Sequence, residues 1–161
     1  MNLGVAWMID TLEALGGKNL LNVRAEWRLR DSTLPTSDRD MAELMNLLYP
    51  VPSEPLAFPD FDLSGQEGAQ PANILIIGDS FFWNYYAFEI RHQLFHPSTR
   101  FWYYNNTQRD LYGQETPVSE LSAHEAVRNA DYVVILATEA NLHMFPYSFP
   151  EKFLEESTVR E

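Results

Sequence analysis

Three short apolar runs rich in β-branched and aromatic residues constrain this chain most: ILII at 74–77, TRFWYYN at 99–105 and DYVVILAT at 131–138. ILII is continuous and is punctuated by Gly78, the pattern of a strand covered on both faces in a parallel sheet. Segments with helical features lie between the runs, FFWNYYAFEIRHQLF after the first and VSELSAHEAVRNA before the third. Thr116 and Pro117 stand at cap and first-turn positions of the latter. The order strand, helix, strand, helix, strand predicts a right-handed α/β unit with a parallel sheet.

Upstream, Val5, Ile9, Leu12 and Leu15 recur at helical spacing and Gly16-Gly17 supply a stop, so an amphipathic helix is expected from about Leu3 to Leu15. NLLNVRAEWRL reads as extended. Ser37 and Asp40, at capping-box spacing before Met41, Leu44, Met45 and Leu48, predict a second helix. Four prolines in YPVPSEPLAFP, followed by FDLSGQEGAQP, exclude a helix or a central strand and read as a long surface connection. The first helices are too small to form a core alone, and 161 residues suit one domain, so residues 1–161 are read as a single unit.

Charge and composition narrow the function classes. With 23 acidic residues against 11 basic ones, the net charge of −12 repels phosphate backbones, so nucleic acid is not an expected partner. The absence of cysteine excludes disulfides, thiolate metal sites and cysteine nucleophiles. No metal-ligand spacing occurs, and neither a metal nor a cofactor is expected. Asp10 and Glu13 interrupt the apolar N-terminal stretch well short of the ~20 residues a membrane span needs, and no basic region precedes it, so membrane insertion is not expected.

The chemistry concentrates in NILIIGDSFFWNYY, residues 73–86. Ligands of open parallel sheets sit beyond the carboxyl ends of strands, which is where Ser80 falls. A hydroxyl there would start the next helix, whose unpaired N–H groups favour a developing oxyanion. Gly78 would allow the close turn, and Asp79 would orient neighbouring backbone or pair with a base. The same residues also suit plain turn chemistry, with Ser80 as a helix cap.

A strand ending in Gly-Asp-Ser-Phe before an aromatic-rich helix resembles the first block of the SGNH/GDSL hydrolase superfamily, and specifically its alginate O-acetyltransferase-like branch of Bacteroidetes type. DMAELMNLLYPVPSEPLAFP, NILIIGDSFFWNYY, FWYYNNT and VVILATEANL carry the likeness, over about two-thirds of the chain. The resemblance implies a three-layer α/β/α flavodoxin-like sandwich with a mainly parallel sheet. It also implies Ser80 in the nucleophile position, acyl transfer from an ester to water or a sugar hydroxyl, and an extracytoplasmic location in the periplasm or cell envelope.

A serine nucleophile needs a base, usually a histidine held by a carboxylate. The superfamily's D-x-x-H motif is missing, since none of His92, His96, His124 and His143 has Asp three residues earlier. The resembled branch carries an H-W motif just before a helix of the LGVAWMIDTLEAL kind, and only Met1 and Asn2 precede that helix here. The expectation is therefore an N-terminally truncated domain or a degenerate triad. His143, a few residues beyond ILAT, is the best substitute base, with Glu139 to orient it, or is simply a loop histidine.

Other residues stay open between two readings. Glu139 and Asn141 either line the cleft or cap the loop. Asn105 and Asn106 either donate to an oxyanion or form an Asx turn, and FWYYNN is either a sugar platform or core. EKFLEESTVRE reads as a solvated helix end. The expected function is an SGNH hydrolase-like domain related to carbohydrate O-acetyltransferases and acetylesterases, weakly active or inactive for want of a base, acting on a carbohydrate or acyl ester. The alternative is a carbohydrate-binding or interaction module on the same fold.

Overall fold

The computed structural model describes residues 2–30, 56–64, 66–83 and 91–158. The first helix, α1 (Asn2–Gly16), forms where expected. Val5, Met8, Ile9 and Leu12 are its buried stripe, and each buried side chain of this kind contributes about 1.5–3 kcal/mol. Leu15, read above as part of the stripe, is 79% exposed; Met8 takes its place. Gly17 ends the helix in the left-handed region (φ 64°), its N–H donating to Glu13 O at 2.8 Å.

β1 (Arg24–Arg30) begins inside the segment read as extended and runs one residue past it, pairing antiparallel with β2 (Leu56–Asp62), Trp27 opposite Pro59. The surface connection expected over this region thus contains a strand. Pro59 is compatible with it because both strands of a two-stranded ribbon are edge strands, where proline is tolerated. Arg28 Nε reaches Asp60 Oδ2 at 2.9 Å across the ribbon. The helix expected over residues 37–48 lies outside the described residues.

The second sheet has five strands in the order β6-β5-β4-β3-β7. They are β3 (Ile74–Gly78), β4 (Arg100–Tyr103), β5 (Thr107–Arg109), β6 (Glu115–Pro117) and β7 (Tyr132–Leu136). β3 pairs parallel with β4 on one side and with β7 on the other, Gly78 standing opposite both Tyr103 and Leu136. β4, β5 and β6 pair antiparallel in succession, so the sheet is mixed and its parallel part is confined to the three strands legible in the apolar runs. Thr116 and Pro117, read above as a helix start, belong to β6; α3 (Ala123–Arg128) starts instead at Ser122, whose hydroxyl accepts from Glu125 N–H. Of the helix expected after β3, the described parts are a 3-10 turn at Ser80–Phe82 and α2 (Arg91–Leu94).

Alternation along β3 divides the core. Ile74 and Ile76 pack with Phe101, with Phe82, Leu94 and Phe95 from the β3–β4 connection, and with the buried stripe of α1. Leu75 and Ile77 face the other way, with Trp102, Ala123 of α3 and Phe149 of α4 (Phe149–Thr158). All four residues are at most 1% exposed, which is why ILII is continuously apolar. The connection leaving β3 for β4 therefore covers one face, and the one reaching β7 covers the other. The chain leaves β3 for β4 on one side and, after β6, crosses to β7 on the other, which puts a topological switch point at the carboxyl ends of β3 and β7.

Helices α3 and α4 are joined by a carboxylate. Glu156 accepts from Ser122 Oγ (2.7 Å), Ala123 N–H (2.9 Å) and His124 N–H (3.3 Å), capping the N-terminus of α3. Burial opposes its ionisation, but these donors and Lys152 outweigh burial and hold its pKa at about 2. The C-terminal acids are thus not all solvated. No helix among the described residues is long and apolar enough to cross a membrane.

Candidate functional site

Three turns converge at the carboxyl ends of β4, β3 and β7: residues 79–82, 104–106 and 138–148. Gly78 closes β3 with its carbonyl accepting from Tyr104 N–H at 2.9 Å. A Cβ on Gly78 would stand 3.2 Å from Leu136 O and 3.4 Å from Leu136 Cβ, a tight fit, so the close approach of β7 favours glycine. Asp79 follows, 2% exposed, and Ser80 then emerges exposed as the first residue of the 3-10 turn.

Asp79 holds the rim together. Its Oδ1 accepts from Phe81 N–H (3.0 Å), and its Oδ2 accepts from Thr138 N–H (2.7 Å), Thr138 Oγ1 (2.8 Å) and Asn141 Nδ2 (3.0 Å). Burial disfavours the charge, but these donors together outweigh burial and keep the carboxyl below its ordinary range. Both oxygens are thereby committed to fixing the turn after β3 against the turn after β7, across 59 residues of sequence. Asn141 is committed too: its amide also reaches Thr138 Oγ1 (3.1 Å) and Tyr104 Oη (3.4 Å). Tyr147 Oη donates to Leu136 O at 3.1 Å; burial first, then the Asp79 charge, pushes this phenol up to about 12.

All four histidines lie in described residues, and none hydrogen-bonds Ser80. His143 is exposed, its Nδ1 against Ala140 O at 3.1 Å, which leaves Nε2 as the free acceptor; among the described residues no carboxylate contacts the ring. Glu139 is exposed in the same turn, Glu139–Met144. His92 stacks on Tyr112, and His96 Nδ1 accepts from Ser98 N–H.

His124 does meet a serine, with Nε2 2.7 Å from Ser157 Oγ and 2.9 Å from Phe153 O. Ser157 Oγ itself donates to Phe153 O at 3.1 Å, so the imidazole nitrogen carries a proton toward both acceptors. That arrangement fastens α3 to α4 and does not activate a nucleophile.

A cleft of about 750 Å3 opens between the turn after β4 and the segment that follows β7. His143 and Asn105 line it together, with Tyr104, Phe145, Tyr147 and Glu151 among its other walls. Ser80 does not line this cleft. Asn105 and Tyr104 are the central residues of the β4–β5 hairpin turn, both with positive φ (55° and 49°), closed by Asn106 N–H to Tyr103 O at 2.9 Å. Within FWYYNN, Phe101 and Trp102 are fully buried core, and Tyr104 reaches the cleft. A smaller cavity of about 360 Å3 lies under α3 against Leu75 and Trp102, on the opposite side of β3 from the α1 stripe.

Among the described residues no group of three or more His, Asp or Glu is placed to hold a metal ion. Comparisons with protein-family models, with curated proteins and with solved structures find no match for this chain. The cleft walls at 144–151 were not singled out from sequence. Their only local signal was the aromatic and proline content of MFPYSFP.

Proposed function

We propose that this chain is an SGNH hydrolase-like domain related to carbohydrate O-acetyltransferases and acetylesterases, of weak or no activity because no histidine base reaches its nucleophile position. Ser80 stands in that position. The observation that carries the proposal is its exposed place at the carboxyl end of the middle parallel strand, at the switch point, directly after a buried aspartate. The proposed architecture is a three-layer flavodoxin-like sandwich. It is supported by the packing of the two crossover connections on opposite faces of β3.

In such a site Ser80 Oγ would form the acyl–oxygen bond as the ester's alcohol departs, and the Ser80 N–H would stabilise the tetrahedral oxyanion. The hydroxyl proton must leave in that step, and no histidine contacts Ser80 to receive it. Asp79, with both oxygens engaged, is not free to orient one. The resemblance adds an extracytoplasmic location and a carbohydrate or acyl-ester substrate. Hydrolysis of p-nitrophenyl acetate by wild type and Ser80→Ala tests the proposal: matching traces are expected, and a Ser80-dependent rate well above background would refute inactivity.

The second reading, a carbohydrate-binding module on the same fold, is favoured by one observation. The cleft that gathers Asn105 and His143 does not include Ser80 among its walls.

A further inference from the structure

We infer that the outer edge of β7 pairs with the same edge of a second copy of this chain, antiparallel about Val134, joining two five-stranded sheets into one.

β7 is a terminal strand of the larger sheet. It pairs with β3 on one side, and among the described residues no strand pairs with the other. The outer N–H and C=O groups of an edge strand are a template for a further strand, and proteins that stay apart blunt such edges with charge or proline. The other edge strands here are blunted in that way. β6 carries Glu115 and Pro117, β2 carries Pro59, Asp60 and Asp62, and β1 carries Arg24, Glu26, Arg28 and Arg30. β7 is Tyr-Val-Val-Ile-Leu and has neither device. Its side chains are also incompletely covered: Val133 is 40% exposed and the other four are partly exposed, whereas every residue of the neighbouring β3 is buried.

The strand that completes such an edge is apolar and uncharged, as β7 itself is, and the two ends of β7 favour self-pairing. Beside its amino end stand Leu15 and Lys18. Gly16 backs onto the Tyr132 ring, Leu15 is 79% exposed, and Lys18 reaches Asp131 at 2.5 Å with its side chain still half exposed. Beyond its carboxyl end stand Glu139, exposed, and Leu142, 59% exposed.

A two-fold axis through Val134, perpendicular to the sheet, sets Tyr132 opposite the partner's Leu136 and brings each amino end to the other copy's carboxyl end. Leu15 then approaches the partner's Leu142, and Lys18 the partner's Glu139. A parallel pairing would instead set Glu139 against Glu139. Both cores continue across the axis, through Tyr132, Val134 and Leu136 on one face and Ile135 on the other.

Sedimentation velocity of the whole chain tests this, at about 0.15 M salt, where a Debye length of about 8 Å screens the repulsion between copies of net charge −12. A dimer with a dissociation constant of about 10–100 μM is expected, as suits a small interface. Val133→Lys, which puts a charge on the edge at an exposed position, is expected to weaken association at least about tenfold with an unchanged circular dichroism spectrum. Lys18→Glu is expected to weaken it too, and Lys18→Glu with Glu139→Lys to restore it. A monomer at every concentration up to about 400 μM, well above that range, would overturn the proposal. A dimer indifferent to Val133→Lys would overturn the site, and failure of the charge swap to restore association would overturn the antiparallel arrangement. Binding of an apolar five-residue peptide by a chain that does not self-associate would overturn the second copy as occupant.

Discussion

Replacing Asp79 tests whether the aspartate beside Ser80 is a structural tie. Asp79→Asn preserves shape but leaves one acceptor oxygen where two serve four donors, at 2.7–3.0 Å. In either amide orientation one backbone N–H, of Phe81 or of Thr138, then faces an NH2 group. A buried donor left unpaired costs about 1–3 kcal/mol, and the surviving bonds lose charge assistance worth about 1 kcal/mol. The expected destabilisation is about 2–4 kcal/mol, or roughly 4–16 °C in melting temperature for a chain of this size. Thr138→Val, which removes the Oγ1 donor to Asp79 and the acceptor it offers Asn141 but keeps the backbone N–H bond, is expected to cost less, about 1.5–3 kcal/mol.

The pH dependence adds a sign. Asp79 is held below its ordinary value of 3.8, so its contribution is fully present above that value and fades as pH falls below it. The gap between wild type and Asp79→Asn should therefore narrow in acid. Urea unfolding at pH 7 and pH 3 measures both quantities. A variant within 0.5 kcal/mol of wild type at pH 7, on the order of an ordinary surface change, would refute the tie.

Two further perturbations follow from the geometry. Glu156 has an ordinary value of 4.5 and sits at about 2 in the fold, so its ionisation contributes about 3 kcal/mol, present above pH 4.5 and lost as pH falls toward 2. Glu156→Gln should lower the urea midpoint at pH 7 and lose most of that difference near pH 2. Gly78→Ala places a methyl group 3.2 Å from Leu136 O and should cost about 1–3 kcal/mol, seen as a lower melting temperature.

The parallel core was legible because β3 is buried on both faces and apolar throughout, and because β4 and β7 each carry a short run of apolar and aromatic residues. β5 and β6 were not, because Thr107–Arg109 and Glu115–Pro117 are short, polar and held by backbone pairing, which leaves no apolar period to read. Thr116-Pro117 misled for a local reason: a residue before proline is biased to extended backbone, as suited to a strand as to a helix start. The place of Ser80 was readable from strand order. The commitment of Asp79 was not, since its donors at Thr138 and Asn141 lie far along the chain. Glu156 looked solvated for the same reason, its partners being 32–34 residues away. The cleft was only half visible. Asn105, read as an oxyanion donor or part of an Asx turn, is a residue type suited to positive φ, whereas Tyr104, Tyr147 and Ser148 rarely signal it.

The central claim is that Ser80 occupies a nucleophile's place without being activated, and labelling by a fluorophosphonate tests it most directly. Intact-mass measurement of the wild type after reaction, beside Ser80→Ala, is predicted to show no adduct beyond the background of the variant. A stoichiometric adduct mapped to Ser80 and absent from Ser80→Ala would contradict the account.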